Sequence, residues 1–181
     1  MKLDRLYEID VPAPWGDKPH PYAQRGREQK AYYDAMDQIT LADQMGFNTV
    51  WVVEHHFREG RSHCPSSEVV LGAPSQRTEQ IGMGFGVTLT PFGFIHPARV
   101  AETVATVDVL SNCPVQSGPR RSPPIDPPAF VVATAHTPQD SPHAIAIISG
   151  ILPAASFVFH SPLLPFPRRV LPPPPLPSPP P

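Results

Sequence analysis

The chain has 181 residues, 28 of them proline, and a formal net charge of −2 at pH 7. A charge so close to zero offers no basic surface for nucleic acid or an anionic membrane. Eight prolines lie in residues 1–110 and twenty in residues 111–181, whereas 24 of the 30 Asp, Glu, Lys and Arg side chains lie in the first stretch. Proline lacks a backbone N–H and blocks the preceding helical turn. One compact domain of full length is therefore excluded, and beyond residue 111 neither regular helices nor central strands are expected.

Leu3–Val11 carries apolar residues at Leu6, Ile9 and Val11 and reads as a first strand, ended by Pro12 and Pro14. Residues 12–24 are loop by composition. Arg25–Met45 reads as a helix, because Ala31, Ala35, Met36, Ile39, Ala42 and Met45 fall on one stripe. Gly46 stands where a C′ glycine ends such a helix. Thr49–Val53 is a short β-branched apolar run of the kind found in buried parallel strands. Ser66 or Ser67 is placed to cap a short helix reaching Arg77. Ile81–Leu89 is a third strand, thinned by glycines. Pro97 opens a helix at its first turn, with Val100, Val104, Val107 and Leu110 on its apolar face. The alternation of strand and helix argues for an α/β fold with a parallel sheet and right-handed crossovers.

Two cysteines, Cys64 and Cys113, are fewer than a secreted domain of this size usually carries, so a cytoplasmic setting is expected. The N-terminus is charged at Lys2, Asp4, Arg5, Glu8 and Asp10, with no apolar run of the secretory kind behind it. The longest apolar run, Ala144–Phe159, is interrupted by Gly150 and Pro153 and falls short of the roughly 20 residues a spanning helix needs. No membrane partner is expected.

Four strings carry a resemblance: YEIDVPAPW at 7–15, LADQMGFNTVWVVEHHF at 41–57, GFGVTLTPFGFIHPARVAE at 84–102 and VDVLSN at 107–112. Residues 1–110 resemble the N-terminal part of the bacterial luciferase-like monooxygenases. The EHHF and HPARVAE strings, in this order and at this separation, are its most specific marks. The resemblance implies a (β/α)8 TIM barrel that binds reduced FMN, or in some members a reduced deazaflavin, at the C-terminal ends of the strands. Such enzymes use O2 to oxidise a small-molecule substrate. Members are about twice this length, so a partial barrel of three to four βα units is expected, followed by a disordered proline-rich tail. Relatives are often dimeric, which implies a homodimer.

The resemblance weakens across SNCPVQSGPRRS (111–122), where Pro114 and Pro119 should break a central fourth strand. The third strand would then keep an open edge, and the chain would be marginally stable. The organisation expected is a partial barrel over 1–112, a degraded continuation over 113–132 and a low-complexity tail over 133–181.

The resemblance also assigns the candidate site. Glu54, His55, His56 and Phe57 follow the second strand directly, at the face where barrel active sites lie. His55 is the implied catalytic residue, Glu54 its support, and His56 lies behind them. A histidine there can exchange a proton near neutral pH. Read without the resemblance, these are polar residues capping a strand end. Gly86, Val87 and Thr88 are the implied contacts to the flavin ring, with Gly86–Val87 matching a non-prolyl cis bond of some relatives. Arg121 matches an arginine near the flavin. Gly82, Gly84 and Gly86 do not make a G-x-G-x-x-G fingerprint and lie inside a strand, so they do not indicate a dinucleotide loop. His55, His56, His63, Cys64 and His96 have no zinc spacing, and no metal is expected. RVLPPPP (169–175) fits R-x-x-P-x-x-P, a polyproline II ligand pattern. The leading expectation is thus a flavin-dependent monooxygenase. The alternative is a non-catalytic remnant or binding module whose proline-rich tail engages a partner.

Overall fold

The computed structural model describes residues 2–11, 24–57, 61–90, 94–120, 137–152, 157–161 and 164–170. Four strands form one parallel sheet in the order β1 (Asp4–Tyr7), β2 (Thr49–Val52), β3 (Gly82–Leu89) and β4 (Val115–Arg120). The helices α1 (Gln24–Gln44), α2 (Ser67–Gly72), α3 (Pro97–Ser111) and α4 (Thr137–Ile151) follow the strands in turn. Each strand pairs with its sequence neighbour, the order a β/α barrel requires. A separate antiparallel hairpin joins β5 (Phe157–Ser161) to β6 (Leu164–Val170).

One face of the sheet carries the core. Val50 and Val52 of β2 and Met83 and Phe85 of β3 pack with Met36 and Ile39 of α1 and Val100 and Val104 of α3. Full burial of such side chains stabilises by about 1.5–3 kcal/mol each. The opposite face, which would line a closed barrel, carries Leu6, Trp51, Gly84 and Gly86. Leu6 is 54% exposed there. Toward the N-terminal ends of the strands, polar side chains link across this sheet. Trp51 Nε1 donates to Asp4 Oδ2 at 3.1 Å, and Asn48 Nδ2 to Asp4 Oδ1 at 3.1 Å and Thr49 Oγ1 at 2.8 Å. Gln116 Nε2 donates to the same Thr49 hydroxyl at 3.1 Å.

Helix ends follow local chemistry. Gly46 adopts φ 76°, with Gly46 N–H donating to Asp43 O and Phe47 N–H to Ala42 O, both at 3.0 Å. These two bonds form a Schellman cap. Asp43, buried in the last turn of α1, accepts from the backbone N–H groups of Glu79, Gln80 and Ile81 at 2.7–3.0 Å. That contact ties the end of α1 to the start of β3. The short second helix ends at Gly72 and continues as a 3-10 turn at Pro74–Gln76, short of Arg77. Ser66 is its N-cap without a side-chain cap bond.

Two expectations drawn from proline are corrected. Val115–Arg120 is a strand, paired with β3 from Met83–Val115 to Leu89–Arg120. Among the described residues it is an edge strand, where half of the N–H groups have no ladder partner and a proline is tolerated. The third strand therefore does not have an open edge. Second, Thr137–Ile151 is a regular helix. Pro138 sits in its first turn, where proline is tolerated. Pro142 lies inside and removes one helix bond, which burial of Ala144, Ile147 and Ile148 offsets. This helix packs against α3, with Ile148 in the main core. Of the 169–175 proline motif, only Arg169 and Val170 fall within the described residues. No helix among the described residues is long and apolar enough to cross a membrane.

Candidate active site at the strand ends

Ladder pairing of Val52 with Phe85 sets the ends of β2 and β3 side by side. Glu54–Phe57 emerge from the first and Gly86–Thr88 complete the second, so the residues singled out from sequence share one end of the sheet. The β2–α2 loop is then folded back over the end of β1. Arg61 pairs with Glu8 through Nε at 2.9 Å and Nη2 at 3.2 Å. Ser62 N–H donates to Asp10 Oδ1 at 2.8 Å, and His63 N–H to Ile9 O at 2.9 Å. Tyr32 donates its hydroxyl proton to the His63 carbonyl. Burial raises the Tyr32 pKa above its ordinary value, and the charges of Cys64 and Glu28 add to this. Left-handed backbone occurs at Phe57 (φ 53°) and Ser62 (φ 51°) in this loop and at Ile9 (φ 53°) just beyond β1. For a β-branched residue such as Ile9 that conformation is strained, and such strain persists only where surrounding contacts enforce it.

Within this frame the Glu54 carboxylate has two partners on view. Its Oε1 lies 3.0 Å from His56 Nε2, and its Oε2 accepts from Ser67 Oγ at 3.0 Å. His56 stacks on Phe94 with ring centroids 6.1 Å apart and planes 29° apart. Glu54 was expected to serve His55, but the pairing on view here is with His56. His55 is half-buried, and its N–H donates to the Cys64 carbonyl at 3.2 Å. Ser67 was read only as a helix cap. Its side chain turns to Glu54 across thirteen residues, a closure that no local spacing signals.

On β3, Gly86 and Val87 are half-buried, and the ladder to β4 shifts register between Phe85 and Thr88. The described peptide bonds are all trans, so the cis bond expected at Gly86–Val87 is corrected. Thr88 is buried and its hydroxyl lies 3.0 Å from Ser117 Oγ of β4. The β3 glycines also have a packing duty. A Cβ added to Gly86 would meet Trp51 Cβ at 3.2 Å, Val52 O at 3.3 Å and Leu6 Cδ1 at 3.4 Å. Arg121 lies outside the described residues.

A cavity of about 160 Å³ opens beside these groups. It reaches from Glu54, His56 and Thr88 at the strand ends to Val100 and Val104 of α3, and sequence periodicity gave no sign of it. Cys64 is fully buried nearby, and burial pushes its thiol pKa up to about 12. It is therefore an inert core thiol rather than a nucleophile. Among the described residues no cluster of three or more His, Cys, Asp or Glu side chains could hold a metal ion.

The model of the luciferase-like monooxygenase family matches residues 10–113. An F420-dependent glucose-6-phosphate dehydrogenase of Amycolatopsis mediterranei is 32% identical over 87 residues, which are 47% of this chain and 26% of that protein. Limonene 1,2-monooxygenase of Rhodococcus erythropolis is 33% identical over 82 residues, 45% of this chain and 20% of that protein. Among solved structures, monooxygenase RslO1 from Streptomyces bottropensis superposes with a TM-score of 0.75 at 21% identity, covering 94% of this chain and 48% of its own. The oxygenating constituent of 3,6-diketocamphane monooxygenase from Pseudomonas putida, in complex with FMN, gives 0.71 at 14% identity, covering 97% and 45%. At these identities the structural likeness concerns the fold: the four-strand parallel sheet matches part of a larger barrel. The chain spans about a quarter of the curated relatives it matches and about half of the solved ones.

Proposed function

Because the chain belongs to the luciferase-like monooxygenase family, we propose that it binds a reduced flavin at the C-terminal ends of β2 and β3 and oxidises a small organic substrate with O2. The observation that carries this reading is the juxtaposition of Glu54-His55-His56 with Gly86–Thr88 at one end of adjacent strands. Reduced FMN is the cofactor favoured, with a reduced deazaflavin as the variant suggested by the relatives that use F420.

The residues fit the ring portion of such a cofactor. Position 86 bears no side chain, which favours close approach of a flat ring to the backbone near the end of β3. Thr88 offers a hydroxyl that is already oriented by Ser117. Arg121 is assigned to the cofactor by resemblance alone. Bound reduced flavin supplies the electrons that activate dioxygen. The chain's own part is proton handling and exclusion of water. His55 exchanges a proton at its imidazole with the reacting groups. Glu54, held by Ser67, fixes the His56 ring beside it. The clamped β2–α2 loop keeps bulk water from the strand ends. A cytoplasmic homodimer belongs to the same reading.

Titration of the purified chain with FMN, followed by oxygen uptake with reduced flavin, tests the proposal. Micromolar quenching of FMN fluorescence is expected, lost in Thr88→Trp. Oxygen-dependent turnover should fall about 10²–10⁴-fold in His55→Ala, the range for loss of a general acid–base group. Absence of quenching, or turnover indifferent to His55, overturns the reading.

A further inference from the structure

The cavity beside the strand ends has a chemical character of its own. One wall is apolar, made by Phe85 and Leu89 of β3, Ile95 before α3, and Val100 and Val104 within it. The other is polar, made by Glu54, His56, Ser67, Glu68, Thr88 and Thr103. The carboxylates on the described lining are Glu54, which pairs with the His56 imidazole at 3.0 Å, and Glu68, with no lysine or arginine among the described lining residues.

Size and charge together restrict the occupant. A volume of about 160 Å³ is close to the roughly 150 Å³ that accepts one benzene ring in an apolar protein cavity, and is far too small for a flavin. An anionic group placed here would lose its hydration and meet two carboxylates, of which only Glu54 has a described basic partner, the His56 imidazole. A hydroxyl or ammonium group would instead find acceptors in Glu54, Thr88 and Thr103, while a ring or short branched chain covers the apolar wall.

We infer that this cavity is the pocket for the substrate's body, and that it selects small, single-ring molecules that are neutral or cationic and rejects carboxylates, sulfonates and phosphates of the same size. The assignment as a substrate pocket rests on the proposed monooxygenase reading; the selectivity does not. Glu68 sets much of that selectivity from the rim, in the exposed first turn of α2. Val104 is buried on the apolar wall, where added bulk would fill the cavity.

Saturation-transfer NMR and calorimetry on the full chain, without any flavin, test the inference. The probes are benzyl alcohol, benzylamine and benzoate, which share one ring and differ in charge. Benzyl alcohol and benzylamine should bind at least tenfold more tightly than benzoate. Val104→Phe should abolish binding of all three by filling the cavity. The exposed substitution Glu68→Lys, which leaves the core untouched, should narrow the preference over benzoate at least fivefold. Equal binding of benzoate, no binding of any probe at millimolar concentration, or a preference unchanged by Glu68→Lys would each overturn it. Probe binding with no FMN quenching would leave the pocket's selectivity standing and sink the monooxygenase reading, so the two can fail separately.

Discussion

The Trp51 indole occupies the space that a side chain at position 84 would need. A Cβ built on Gly84 falls 2.6 Å from both Cδ2 and Cε3 of the ring. The indole cannot easily retreat, because its Nε1 is bonded to Asp4. Gly84→Ala is therefore expected to destabilise the chain by about 1–3 kcal/mol, the usual cost of overpacking. A urea denaturation series measures it. Shrinking the partner in Trp51→Val should recover part of that loss in the double variant. Strict additivity of the two changes would contradict the contact.

Asp43 gives a pH-dependent prediction. Burial raises its pKa, but three backbone N–H donors outweigh that and hold the carboxyl below its ordinary value. A group with a depressed folded pKa contributes its stability above the unfolded value, near 3.9, and loses it as pH falls through the folded one. Asp43→Ala should cost about 1–3 kcal/mol at pH 7, because it leaves three backbone N–H groups leading into β3, that of Ile81 buried, without their acceptor. The difference from the parent chain should shrink as the pH falls below about 4. A difference that is constant from pH 7 to pH 3 would contradict this origin.

Thiol chemistry separates the two cysteines. Burial raises both pKa values, that of Cys64 to about 12, while Cys113 is half-buried with Asp43 adding to its shift. A disulfide reagent at pH 8 should modify Cys113 first and slowly, and Cys64 only on unfolding. Rapid modification of both in the folded chain would show that the β2–α2 loop does not seal Cys64.

Ile148→Ala examines the fourth helix. Ile148 is 5% exposed and belongs to the main core. Its truncation should cost about 2–4 kcal/mol in thermal or chemical denaturation. A chain in which residues beyond 136 form no packed structure would be indifferent to the change.

These elements differ in how plainly the sequence announces them. Residues Ala35, Met36, Ile39 and Ala42 repeat at helical spacing, and the core they build is the one their stripe implies. Thr49–Val52 and Gly82–Leu89 are nearly continuous apolar or small-residue runs, as parallel strands buried on a core should be. The second half was misread because proline count is a poor guide to proline position. Pro119 falls on an edge strand and Pro138 in a first helical turn, two places where the ring does little harm. At the site, Glu54 and His55 were legible from their place after a strand. The Glu54–Ser67 bond and the place of Val104 in the cavity wall were not, because both depend on how α2 and α3 settle against the sheet.

The polar links near the N-terminal ends of the strands have a further consequence, for how the chain avoids mispairing as it folds. Along β3, Gly84 and Gly86 face Trp51 and Gly82 lies against Thr49, so these positions offer little side-chain surface to index one strand against the next. A slip by one residue would turn Met83 and Phe85 away from the helices and the glycines toward them. Gly82 N–H donates to Asn48 O at 2.9 Å, while Asn48 N–H donates to Leu3 O at 2.7 Å. The Asn48 side chain holds Asp4 and Thr49, and Thr49 in turn holds Gln116 of the fourth strand. One short polar thread therefore touches all four strands at a single level. It supplies an alignment mark that the bare third strand lacks, and widens the energy gap between the native pairing and its nearest competitors.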